Sequence, residues 1–210
     1  MSRFSQSAFT LIEIIVVVGV TTMLLSVVVL TLRRGTAEQA VRREAQRLVL
    51  DIRRAQALAA SSVEFQGTVP HGYGIVVSDV LPDNTHTVLF VDLGPFDDMT
   101  YDPATEFVER RAFENGVSAS DAEVFSCSDP ACSLAVPPSV VTPADQIALF
   151  FCPPNPNTFL YDQSSGSGSR GFGCRAEGSD PFAAARIRLS RGGSWRTVTV
   201  NAVGAVFIEE

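Results

Sequence analysis

Glu13 is the only charged side chain between Phe9 and Leu32, in a run that reads FTLIEIIVVVGVTTMLLSVVVLTL. About 20 apolar residues suffice to cross a bilayer, and a carboxylate near the bilayer centre costs roughly 2.5–3.5 kcal/mol. An acid in such a segment needs a reason to be there. Other reactive side chains are scattered. Asp92, Asp97, Asp98, Asp102 and Glu106 fall within DLGPFDDMTYDPATE, and loop carboxylates can ligate calcium. Their spacing fails the EF-hand pattern of alternating acids with Gly at the sixth position, so a solvated turn is the favoured reading. GSGSRG, from Gly166, satisfies the letters G-x-G-x-x-G. That chemistry needs a strand before it and a helix opening after it, and here Gly/Ser linker surrounds it. The two histidines, His71 and His86, sit at presumed strand starts, with neither H-E-x-x-H nor G-x-S-x-G in the chain. The chain reads as a non-enzyme.

Two further groups could do chemistry. Cys127, Cys132, Cys152 and Cys174 all lie in the second half. An even number in an exported domain points to two disulfides, for which four cysteines allow three connectivities. Cys127–Cys132 with Cys152–Cys174 is favoured, because CSDPAC is a short loop with a central Pro that can close locally. No C-x-x-C pair exists, and the spacings match no zinc ribbon or knuckle. Arg186, Arg188, Arg191 and Arg196 gather around Trp195, and a basic patch beside an aromatic can hold a nucleic-acid backbone. Alternate strand residues share a face, which sets Arg186 beside Arg188. Ordinary solvent-facing charge is favoured, given the acidic surroundings.

Composition sets the frame for these groups. All sixteen basic residues are Arg. Residues 1–62 hold eight Arg against four acids, residues 63–210 eight against nineteen, and the formal net charge is −7. An acidic body argues against broad nucleic-acid affinity, which depends on neutralising phosphates. It suits an exported domain that repels its own kind until assembled. The length accommodates one membrane segment and a domain of roughly 150 residues, enough to bury a core.

The N-terminal run is longer than the 7–15 residues of a signal-peptide core, and the small residue Ala8 precedes it rather than following it. A plain membrane anchor fits the length but leaves Glu13 without a purpose. Beyond it, RRGTAEQAVRREAQRLVLDIRRAQALAASS places Val41, Ala45, Leu48, Ile52, Ala55 and Ala59 at spacings of four and three, one face of a helix. Gly35 is a candidate bend and the pattern ends near Ser61; Phe9 to Ser61 spans roughly 80 Å as one helix. The basic remainder of that surface is read as solvated, with the acidic body of a neighbouring subunit as the alternative partner. From Val69 the period changes. HGYGIVVS, HTVLFVD, TEFVERRAF, QIALFF and TFLYD read as strands, and ARIRLSRGGSWRTVTVNAVGAVFIEE reads as a closing hairpin with turns at RGGS and NAVG. Hairpin-linked strands without helical crossovers predict an antiparallel sheet whose apolar face lies on the helix stripe. DQSSGSGSRGFG, from Asp162, reads as a flexible surface loop.

SAFTLIEIIVVVGV, from Ser7, closely resembles the N-terminal signature of type IV pilins and pseudopilins. That family has a short polar leader ending in a small residue, then a cut, Phe, and Glu as the fifth residue after the cut. Here the leader is MSRFSQSA and the cut falls between Ala8 and Phe9; where the family usually has Gly, this chain has Ala8. The resemblance implies that a prepilin peptidase cleaves after Ala8 and methylates the new amine of Phe9. Glu13 would then lie one helical turn from a buried ammonium, on the same or a neighbouring subunit. Such a pairing makes each buried ion less costly and fixes the axial register of one helix on the next.

The order of the body, with LVLDIRRAQALAAS as helix end, HGYGIVVS as first strand and VTVNAVGAVFI as closing strand, resembles the pseudopilin H and minor-pilin branch. The resemblance implies an α+β, pilin-like fold. Its parts are a leader (1–8), a transmembrane assembly helix (9–32), an amphipathic extension (33–62) and an extracytoplasmic β-rich domain (63–210). It implies a single pass through the inner (cytoplasmic) membrane, an orientation that Arg33 and Arg34 on the far side do not favour by charge alone. The implied partners are other pilin or pseudopilin subunits, the prepilin peptidase, lipid and the inner-membrane assembly platform of a type IV pilus or a type II secretion pseudopilus. Some pseudopilins bind calcium in an acidic loop, which keeps Asp92, Asp97, Asp98 and Asp102 as candidate ligands. Some minor pilins capture DNA, which keeps Arg186, Arg188, Arg191 and Arg196 as candidate contacts. An uncleaved, membrane-anchored binding domain is the remaining alternative.

Overall fold

The computed structural model describes residues 10–93, 101–126, 140–153, 157–162, 167–168, 182–201 and 203–209. Leu11–Ala60 forms a single 50-residue α-helix, α1, about 75 Å long at 1.5 Å per residue. It runs through Gly35 without a break. Its end is set by backbone geometry: Ser62 turns left-handed (φ 46°), its N–H reaches the Ala59 carbonyl, and the Val63 N–H reaches Leu58. That pair of bonds is the Schellman arrangement, which satisfies carbonyls the helix itself cannot.

The strands are β1 (Gly72–Ser78), β2 (His86–Asp92), β3 (Phe107–Ala112), β4 (Ser118–Ser126), β5 (Val140–Pro143), β6 (Gln146–Cys152), β7 (Asn157–Asp162), β8 (Ser167–Gly168), β9 (Phe182–Arg191), β10 (Ser194–Asn201) and β11 (Val206–Glu209). All pair antiparallel, but in two sheets rather than the one expected: a six-stranded sheet in order β3-β2-β1-β6-β7-β8 and a five-stranded one in order β11-β10-β9-β4-β5. The difference comes from β4 and β5, which the sequence pattern does not announce. In β4 a bulge at Ser120, between the Ala119–Leu189 and Asp121–Arg188 pairs, breaks the two-residue alternation. β5 is four residues long and ends in Pro143, which an edge strand tolerates. The segment expected as a loop from Asp162 is also corrected in part. Asp162 closes β7 and pairs with Ser167 of β8, while 163–166 and 169–173 lie outside the described residues.

The predicted helix stripe is the centre of the core. Val41, Ala45, Leu48, Ile52, Ala55 and Ala59 are all buried, with Tyr73, Ile75, Val77, Ile147, Leu149 and Leu160 from the first sheet and Ala185, Ile187, Leu189, Val198 and Val200 from the second. The helix therefore packs on both sheets at once. The first sheet is buried on its other face too, where Val76, Val88, Phe90, Tyr101, Ala148, Phe150 and Phe159 form a second cluster. This explains why β1 is buried at all seven positions.

GYG in β1 belongs to that second cluster. The Phe150 ring lies over Gly72 and the Phe90 ring over Gly74, each where a side chain would otherwise stand. A methyl at Gly74 would meet the Phe90 ring and come within 2.9 Å of the Leu149 carbonyl oxygen. Gly74→Ala is therefore expected to lower stability by about 1–3 kcal/mol through overpacking. Gly35→Ala, with nothing within 4 Å of the new methyl, is expected to be neutral or to stabilise by up to about 1 kcal/mol. Urea titration of the two variants in detergent checks the opposite signs.

Candidate functional site

The N-terminal half of α1 is unlike the rest of the molecule. Leu11–Val29 has a mean hydropathy of 2.6 and none of it is buried inside the protein, so by length and composition it can span a membrane. Fourteen large apolar side chains from Leu11 to Val29 remain exposed. Moving them out of water is worth on the order of 20 kcal/mol. The polar groups in this stretch turn inward. Thr21 and Thr22 donate to the Val17 and Val18 carbonyls at 2.9 Å each, and Ser26 donates to Met23 at 2.7 Å. Hydroxyls satisfied by their own backbone make no demand on the surroundings, which suits a helix wrapped in lipid or in other apolar helices.

At the start of this helix Thr10 is the N-cap, its Oγ1 accepting from the Glu13 N–H at 3.4 Å. Glu13 is exposed and stands in the first turn. Thr-x-x-Glu is the spacing of a capping box, and an anion there is favoured by the helix dipole. Sequence reasoning missed this spacing; the first-turn role is compatible with the counter-ion reading. Ala8 and Phe9, the expected processing residues, lie outside the described residues.

The C-terminal half of α1 is tied to the body by ions as well as by its stripe. Glu44, 1% exposed, accepts from Arg47 Nη1 at 3.0 Å and from Arg111 Nη1 of β3 at 2.9 Å. Arg111 Nε also donates to Asp51 Oδ2 at 2.7 Å, and Arg47 reaches Glu114 at 2.6 Å. Arg54 meets Glu109, Arg196 meets Glu38, and the Gln56 amide donates to the Gly204 carbonyl. Sequence reasoning missed this clamp: Glu44, Arg47 and Asp51 look like ordinary helix-surface charges, and only the fold brings Arg111 to them.

The remaining candidate residues are dispersed. Cys152 is disulfide-bonded; Cys127, Cys132 and Cys174 lie outside the described residues, so its partner lies there also. Asp92, which reads both as the end of the strand HTVLFVD and as an acidic-loop residue, belongs to the strand. It closes β2 fully buried, with His71 Nδ1 3.8 Å from its carboxylate. Asp102 shapes its own turn by accepting from Ala104 N–H and Thr105 Oγ1, and Glu106 accepts from the Asp102 N–H. Asp97 and Asp98 lie outside the described residues, and among those described no cluster of three or more acids, histidines or cysteines is placed to hold a metal. Arg186 and Arg188 share a face, as alternation requires, but each looks at an acid. Arg188 pairs with Asp121 at 2.9 Å and lies over Trp195, while Arg186 stands between Glu123 and Glu209 and over Phe125. With Arg196 on Glu38, three of the four arginines face carboxylates, which leaves little free charge for phosphates. No family model, curated protein or solved structure matches the chain.

Arg111→Met removes one of the two guanidinium partners of the buried Glu44, leaving Arg47, and should cost about 1–3 kcal/mol of stability. Adding Glu44→Met in the same chain should regain part of that loss, because the under-paired buried carboxylate is then gone. Chemical denaturation of the two variants measures the difference.

Proposed function

We propose that this chain is a structural subunit of the type IV pilin kind, a minor pilin or pseudopilin of a type IV pilus or type II secretion pseudopilus. It enters the inner membrane through its apolar helix, loses residues 1–8 to a prepilin peptidase, and polymerises by stacking that helix against those of other subunits. The observation that carries the reading is an uncovered apolar span of 19 residues, continuous with a helix clamped to a β-rich body and opened by an acid in its first turn. A helix that only anchored a domain would use Glu13 for no more than its place in the first turn. A helix whose first residue becomes an ammonium on cleavage needs it, because the two charges offset each other in an apolar bundle. The role is mechanical: lateral helix packing supplies cohesion, the charge pair supplies register, and the body faces outward.

One observation favours a second reading. Thr10 caps the helix through the Glu13 N–H, and the Glu13 carboxylate stands in the first turn, where the helix dipole favours an anion; that gives Glu13 a use in an uncleaved, membrane-anchored domain. The two readings separate in one substitution. Glu13→Gln keeps a residue compatible with the capping box but removes the charge. Under the filament reading it inserts normally and fails to enter filaments; unimpaired assembly of the variant would refute the counter-ion role. N-terminal sequencing of membrane-extracted protein completes the test, with a methylated Phe9 expected first and an intact Met1 supporting the anchor instead.

A further inference from the structure

The face of the six-stranded sheet turned away from α1 carries a cavity of about 200 Å³. The strand register builds it. Arg110 of β3 stands opposite Val88 of β2, which stands opposite Val76 of β1; two residues along, alternation brings His86 and Ser78 to the same face. Gln146 of β6 stands opposite Ser78, and Tyr101 and Asp83 close the sides. The floor is aliphatic, and the rim holds a guanidinium, an imidazole, a phenol and one carboxylate.

Arg110 supplies the guanidinium of this cavity. Arg111, Arg186, Arg188 and Arg196 each have a carboxylate within 4 Å, and Arg110 has none among the described residues. It is exposed at the edge strand while its neighbour Arg111 turns to the helix clamp. We propose that the cavity binds a monocarboxylate with a short apolar body, the carboxylate on the Arg110 fork and the body over Val76 and Val88 beside the Tyr101 ring. A planar guanidinium matches a carboxylate in a two-point contact. The volume lies below the ~300–1,000 Å³ of pockets that take drug-sized ligands, so the occupant is small: a free aliphatic carboxylate, or the C-terminal residue of a peptide whose remainder stays outside. Burial and the nearby Arg110 hold His86 below its ordinary pKa, with Asp83 pulling the other way, and burial raises the Tyr101 phenol. The full charges of the rim are then the Arg110 guanidinium and the Asp83 carboxylate. Asp83 at the rim repels a second negative charge, which selects against phosphate and dicarboxylates.

The proposal stands whether or not the chain forms filaments. Ligand-detected NMR titration of the full chain in nanodiscs tests it, with sodium isovalerate, a peptide ending in Val, the same peptide amidated, and inorganic phosphate as probes. Saturable binding of isovalerate in the millimolar range or tighter is expected, weakened at least tenfold in Arg110→Gln and unaffected by equimolar phosphate. Binding of the free-acid peptide alone, lost on amidation and in Arg110→Gln, would identify a peptide C-terminus as the source of the carboxylate. Absence of binding by both carboxylates, equal binding to Arg110→Gln with unchanged circular dichroism, or phosphate binding as tightly as isovalerate would each overturn it.

Discussion

One unbroken helix serves two environments, and the rest of the molecule follows from that. Residues Leu11–Val29 are apolar all round and touch none of the body, while Val41 to Ala59 present a stripe fully enclosed by it. A helix hydrophobic on every side must be surrounded, and one hydrophobic on a stripe must be half covered. The same backbone cylinder satisfies both demands because the change is made by side chains alone. No described residue between the two halves breaks the hydrogen-bond ladder, so the helix holds the body at a defined distance from whatever encloses the apolar half.

That arrangement asks for a firm attachment, and the attachment has two layers. Shape complementarity comes from small residues: Ala45, Ala55 and Ala59 are buried at the stripe, where a short side chain lets strands of both sheets approach closely. Direction comes from the charges around Arg111, which reaches two acids about two turns apart on the helix. Apolar contacts alone tolerate some sliding along the axis. A buried carboxylate with fixed donors does not, since a shift of one turn would leave Glu44 without Arg111. On the far side, the second core under Phe90 and Phe150 stiffens the six-stranded sheet against which the helix lies.

How much of this was legible in the residues depends on whether the signal was local. The helix stripe, its end near Ser61, and β1, β2, β6, β7, β9 and β10 were, because periodicity and turn residues act over a few positions. The second sheet was not. Ser120 interrupts the alternation of β4 with an extra residue, and Ser118, Asp121 and Glu123 give it a polar cast that reads as loop. Asp92 reads both as the last residue of the strand HTVLFVD and as part of an acidic loop; the strand reading holds, and the residue is buried. The pairing of Glu44 with Arg111 spans 67 positions, so no local pattern could reveal it. The same holds for the arginines near Trp195: their types and common face were evident, and the acids of β4 and β11 that occupy them were not. At Glu13 the sequence reading is only that of a counter-ion; it misses the Thr10 cap beside it, which the fold supplies without removing the other role.

The central claim is that the apolar half of α1 has its partner outside the protein and lends nothing to the core. Membrane fractionation of the full chain beside a chain beginning at Gly35 tests this most directly. The account predicts that the full chain stays with alkali-washed membranes, while the shortened one is soluble and keeps the β-sheet circular dichroism of the body. A full chain released by alkali, or a shortened chain that has lost its sheet signal, would contradict it.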